Sequence, residues 1–146
     1  MVEAFATLFG ETQEKLIQVL GHDGKQNFPG SNTQKTHHAQ EMIDAGLQFG
    51  YALTPIEIFP RSTDGYATFN IFFGAHGDVE ANFDRFREHL AATKNGVIQG
   101  MRESSRIGHA VYWDGSMCYD HKGSWQLWGD GTDFMPSVLW KATWIT

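Results

Sequence analysis

Ala4, Phe5, Leu8 and Phe9 recur at helical spacing and Gly10 ends the pattern, so the chain is expected to open inside a helix. Thr12 followed by Lys15-Leu16-Ile17 and Val19-Leu20 predicts a second short helix, capped by Thr12 and stopped by Gly21. After the loop GHDGKQNFPGSNTQK, the apolar positions Met42, Ile43, Leu47 and Phe49 predict a third helix over about Thr36 to Phe49, with Gly50 as its stop. Tyr51 to Phe59 reads as a strand, and the aromatic segment Ala67 to Phe73 as a strand or an apolar loop. Val79, Phe83, Phe86 and Leu90 share one face of an amphipathic helix within VEANFDRFREHLAAT, which leaves through Asn95-Gly96. From there the period changes to that of strands: VIQGMRE, IGHAVYWDG, SMCYDHKG and an aromatic segment ending LWKATWIT. Helices first and an antiparallel sheet second predict an α+β domain and argue against an alternating βαβ sheet.

Composition narrows what such a domain does. At 146 residues the chain is the size of one domain, and no internal repeat or linker divides it. With 41% hydrophobic and only 19% charged residues it is a packed globular chain, not a disordered one. Eleven Lys and Arg against seventeen Asp and Glu leave a net charge of −6, which argues against nucleic acid as a partner. No stretch approaches the ~20 apolar residues of a membrane span, and no basic leader precedes the first apolar residues, so no membrane partner and a cytoplasmic location are expected. One cysteine, Cys118, excludes an internal disulfide and a two-cysteine zinc knuckle.

The sharpest chemical signal is GHAVYWDGSMCYDHKG, with Asp114-Gly115 as a hairpin dipeptide. A two-residue loop would set Trp113 opposite Ser116, Val111 opposite Cys118 and His109 opposite Asp120, with opposed Cβ atoms ~4.5–5.5 Å apart. A carboxylate on one imidazole nitrogen fixes the tautomer and leaves the other nitrogen as a general base. The competing reading is a surface hairpin with an incidental His–Asp pair.

Gly108-His109-Ala110-Val111, an aromatic strand end, a D-G turn and Tyr119-Asp120 together resemble the His-strand and acid-strand hairpin of papain-like cysteine peptidases. The likeness is closest to the small bacterial group allied to bacteriocin-leader processing peptidases. It covers nearly the whole chain and implies a papain-like fold, N-terminal helices packed on a C-terminal antiparallel sheet. His109 would be the base and Asp120 its orienter, although His121 follows Asp120 where a proline is common. The implied partner is a peptide or protein substrate, and neither a cofactor nor a metal is implied.

In that family a cysteine heads the first helix, in a pattern like Cys-x-x-Ala. Here Met1-Val2-Glu3-Ala4-Phe5-Ala6 occupies the helix, placing the family cysteine at Met1 or just upstream. Either the nucleophile has been replaced or the chain begins just after it, and the amide-donating Gln that precedes the cysteine in the family is missing too. Without a thiolate the pair has nothing to activate, so the chain is expected to be inactive as a peptidase. Cys118 is expected to be a small buried hydrophobe, not a substitute nucleophile. His37, His38 and Trp113 are candidate residues of the substrate cleft, and a binding module on the same fold is the alternative. A metal-dependent hydrolase using His22, His37 or His76 is weaker, since no H-E-x-x-H spacing occurs. Trp125, Trp128, Trp140, Trp144 and Phe134 are expected to pack core and sheet, the alternative being a recognition surface.

Overall fold

Glycines end the first two helices at the expected positions. In the computed structural model, which describes residues 1–57, 79–102, 108–128 and 133–145, α1 spans Val2–Phe9 and α2 spans Gln13–Leu20. Gly10 (φ 68°) and Gly21 (φ 84°) close them in the left-handed conformation. Thr12 is the predicted cap of α2, its hydroxyl accepting the Lys15 N–H at 3.1 Å. Helix α3, Ala39–Gln48, starts three residues later than its apolar pattern, because His37 and Thr36 belong to the preceding loop. Strand β1 is Tyr51–Glu57 and helix α4 is Val79–Ala92. The segment Ala67 to Phe73 lies outside the described residues, as does His76.

The remaining strands are β2 (Gly96–Arg102), β3 (Gly108–Trp113), β4 (Cys118–Asp120), β5 (Gly123–Trp125) and β6 (Phe134–Trp144). They join β1 in one six-stranded antiparallel sheet of order β1-β6-β2-β3-β4-β5. The chain is therefore α+β among the described residues, with four helices. The run SMCYDHKG is not one strand: it holds β4 and a turn, and Gly123 (φ 107°) begins β5.

Because β2 lies near the sheet's centre, its consecutive residues Val97 and Ile98 are both fully buried, on opposite faces. Val97 joins Ala110, Val138 and Trp140 on the face covered by α1, α2 and α3, where Phe5, Leu8, Leu16 and Met42 fill the core. Ile98 joins Val111, Trp113, Cys118, Phe134 and Leu139 on the other face, covered by Phe86 and Leu90 of α4. Helices thus pack on both faces, where the sequence pattern had suggested a simple stack of helices on a sheet. Of the aromatic tail, Phe134 and Trp140 are core, whereas Trp128 and Trp144 are exposed. No helix among the described residues is long and apolar enough to cross a membrane.

Candidate active site

The β3–β4 hairpin brings His109 and Asp120 together by a register other than the expected one. Trp113 pairs with Cys118 and Tyr112 with Tyr119, so the loop is four residues long, Asp114 to Met117, closed by the Asp114 N–H to the Met117 carbonyl at 3.2 Å. The Asp114 carboxylate accounts for the longer loop. Its Oδ1 accepts the N–H groups of Ser116 and Met117, each at 2.8 Å, and Oδ2 accepts the Tyr119 hydroxyl at 2.7 Å. These bonds hold the Asp114 carboxyl down at about 2, the Met117 N–H contributing most.

A shift of two residues preserves which face each side chain takes. His109 and Asp120 consequently share a face as diagonal neighbours instead of direct opposites, a separation that an imidazole can span. His109 Nε2 lies 2.9 Å from Asp120 Oδ2. Asp120 is almost wholly shielded, its side chain 4% exposed. Burial alone would raise its pKa, but hydrogen bonds from His109, from the Lys122 N–H and from the Trp125 side chain outweigh that and hold the carboxyl ionised below its usual range. An ionised carboxylate only accepts, so Nε2 carries the proton that points at Asp120, and the tautomer this selects has its lone pair on Nδ1. Phe134 packs edge-on against the imidazole at 5.9 Å between centroids and meets Trp125 at 5.5 Å, walling the pair. Arg102 Nη2 stands 3.9 Å from Asp120 Oδ2, and Nη1 3.6 Å from Asp133.

His109 borders two cavities. One, of about 270 Å³, lies on the α4 face among Arg102, Asp120, Lys122, Trp125 and Phe134. The other, of about 430 Å³, joins His109 to Met1, Thr36, His37, Gln99 and Ala110. Gly100 and Gly108 also line it. Met1 is the N-cap of α1, so the head of that helix borders this cavity, whereas the His109 ring points to the other face of the sheet with Asp120 and Phe134.

The other candidates divide. His37 is buried on the wall of the larger cavity, its Nε2 donating to the His22 carbonyl at 2.9 Å and its ring stacked on His22 at 4.3 Å. His38 is an exposed N-cap whose backbone N–H goes to Glu41 at 2.7 Å. Trp113 is core, not cleft: it is buried, and its indole N–H is shared by the carbonyls of Leu90 (3.0 Å) and Thr93 (2.9 Å) at the end of α4. Cys118 is fully buried opposite Trp113, and burial, helped by the charges of Asp120 and Asp114, pushes its thiol up to about 12. His22 is tied to Glu41 at 2.6 Å, and among the described residues no group of three His, Cys, Asp or Glu side chains could hold a metal ion.

Two features of the site escaped the sequence reading. Gln99, at a core-facing position of β2, donates nothing to the expected pattern, and Trp125 lies on a strand that was not expected. The signal for Gln99 was available: it is the polar residue in VIQGM, and β2 pairs with the His-bearing strand. No protein-family model, no curated protein and no solved structure matches the chain.

Proposed function

We propose that the chain is a papain-like scaffold for cysteine-peptidase or amidase chemistry, with His109 as general base and Asp120 as the group that orients it. The observation that carries this reading is the His109 imidazole held at 2.9 Å by a shielded Asp120 carboxylate, the base and orienter such chemistry needs; the head of α1, where the resembling family has its thiol, borders a cavity that His109 also lines. A helix N-terminus favours an anion, so a thiol there would ionise more readily than a free one. Nδ1 of His109 would take its proton, and sulfur would bond to the carbonyl carbon of a peptide or side-chain amide. The C–N bond would then break, with the imidazolium returning the proton to the leaving amine. Water would release the acyl group from sulfur by the same exchange of proton.

A second reading, a module that binds peptide without cutting it, is favoured by one observation. The only cysteine in the sequence, Cys118, is sealed in the core with an unreactive thiol. Both readings meet in one experiment. Met1→Cys, carried behind a short Gly-Ser leader, is alkylated with iodoacetamide between pH 5.5 and 9, with and without His109→Ala. The catalytic scaffold predicts a thiol that at pH 6.5 reacts about tenfold faster than it does when His109 is absent. A rate equal to that of a free cysteine and indifferent to His109→Ala would leave only the binding module. Cys118 should react in neither chain until it is unfolded.

A further inference from the structure

We infer that the cavity on the α4 face is a binding site for a small monocarboxylate with a flat apolar body, held by the Arg102 guanidinium. The inference goes beyond the peptidase-like reading and needs no thiol at the head of α1.

Strand parity puts the side chains of this cavity on one face of the sheet. Arg102 is two residues from Gly100, which opposes His109, so both side chains take the face on which Ile98 is buried. Phe134 opposes Arg102 from β6, and Trp125 opposes Cys118 from β5, on the face that Asp120 shares. Two rings and four polar side chains therefore converge: Phe134 and Trp125 meet edge to face with 5.5 Å between centroids, and Arg102, His109, Asp120 and Lys122 line the same space.

Arg102 is the group with donors to offer. Its guanidinium meets three polar groups, all distant: His109 Nε2 at 3.5 Å, Asp133 Oδ1 at 3.6 Å and Asp120 Oδ2 at 3.9 Å. Nε2 already donates to Asp120 and cannot also accept from the arginine. Asp120 does not require it either, since its carboxylate takes donors from His109, Lys122 and Trp125. A guanidinium carries its N–H donors in a planar fork, and among the described residues none of those of Arg102 makes a hydrogen bond shorter than 3.5 Å. The side chain is only 28% exposed, so part of its hydration is already displaced.

Charge and shape then choose the ligand. Arg102 and Lys122 balance Asp120 and Asp133, so the cavity is close to neutral and accepts one added negative charge more readily than the two of a phosphate. A carboxylate matches the guanidinium fork with two parallel hydrogen bonds. The rings of Trp125 and Phe134 give an apolar wall for the rest of the molecule. The cavity's volume of about 270 Å³ is room for a ring and its carboxylate, given that about 150 Å³ suffices for benzene.

Benzoate is the probe and benzamide its uncharged match, both followed through the Trp125 indole N–H resonance of the isotope-labelled chain. Benzoate is expected to shift that resonance saturably in the millimolar range, with benzamide binding about tenfold more weakly. Arg102→Gln should weaken benzoate by about tenfold and leave benzamide unchanged, its other amide resonances reporting an intact sheet. The comparison of the two ligands uses the unaltered chain, so it decides the matter even if Arg102→Gln fails to fold. Equal affinity for benzoate and benzamide, tighter binding of inorganic phosphate than of benzoate, benzoate affinity untouched in a folded Arg102→Gln, or a resonance that no ligand moves would each overturn the assignment. Alkylation of the Met1→Cys chain tests the peptidase-like reading separately, and its failure leaves this site standing.

Discussion

Asp114 shows how one carboxylate can decide the geometry of a site it does not touch. Asn-Gly and Asp-Gly favour a two-residue loop, yet this side chain collects two backbone N–H groups and a tyrosine hydroxyl and stabilises a four-residue one. Its folded pKa of about 2 lies below the ordinary 3.8, so the bonds contribute stability that is complete above about pH 4 and is lost as the pH falls toward 2. The carboxylate is partly solvated, which limits the contribution to about 1 kcal/mol. Asp114→Asn is therefore expected to lower the urea midpoint at pH 6, and the gap from the unaltered protein should shrink steadily as the pH falls from 4 toward 2. A gap that stays constant across that range would mean the turn does not depend on the charge. The pairing of His109 with Asp120 was legible because side-chain direction alternates with period two, and an even slip keeps every residue on its face. The register itself was not legible, since it depends on what Asp114 bonds to and not on the Asp-Gly dipeptide.

At the scale of elements, the most constrained junction is where β2 meets β6. Gln99 pairs with Val138 but Gly100 pairs with Pro136, so Ser137 is an extra residue in β6, a bulge. Pro136 lacks an N–H and is tolerated at such a break in the ladder. Here the strands come so close that a Cβ on Gly100 would stand 2.0 Å from the Met135 carbonyl oxygen and 2.8 Å from the Pro136 Cα. Those are backbone atoms and cannot turn aside as a side chain can. Gly100→Ala is thus expected to cost about 3 kcal/mol, read as a lower urea midpoint. A loss below 0.5 kcal/mol would show that the bulge can open. Helices α1, α2 and α4 and strands β2 and β3 were readable from apolar spacing and glycine stops, because their faces are set by local sequence. The bulge, the short strand β5 and the placement of Gln99 were not, because each is fixed by contacts between residues distant in the chain.

Over the whole molecule the sheet separates two cores, and that division organises both stability and the site. Phe5 is 1% exposed among the residues of α1, α2 and α3, and Phe86 is fully buried among those under α4. Removing either ring leaves a cavity costing about 3–5 kcal/mol. Their side chains lie on opposite faces of a sheet and belong to different clusters, so the double variant Phe5→Ala/Phe86→Ala should lose the sum of the single losses to within about 0.5 kcal/mol. Since two such losses could unfold the chain outright, milder Phe5→Leu and Phe86→Leu substitutions provide the same cycle with a measurable native state. A coupling above 1 kcal/mol would mean that the faces fold as one unit through the sheet. His109 stands where this division matters: Asp120, Phe134 and Trp125 hold it on the α4 face, while the cavity it shares with Met1 and Gln99 opens beside α1. Independent cores then predict that Phe86→Leu, which loosens only the α4 side, weakens the support of His109 and slows His109-dependent alkylation in the Met1→Cys chain. Phe5→Leu should instead act on the same rate through the seating of α1, and the two effects should multiply.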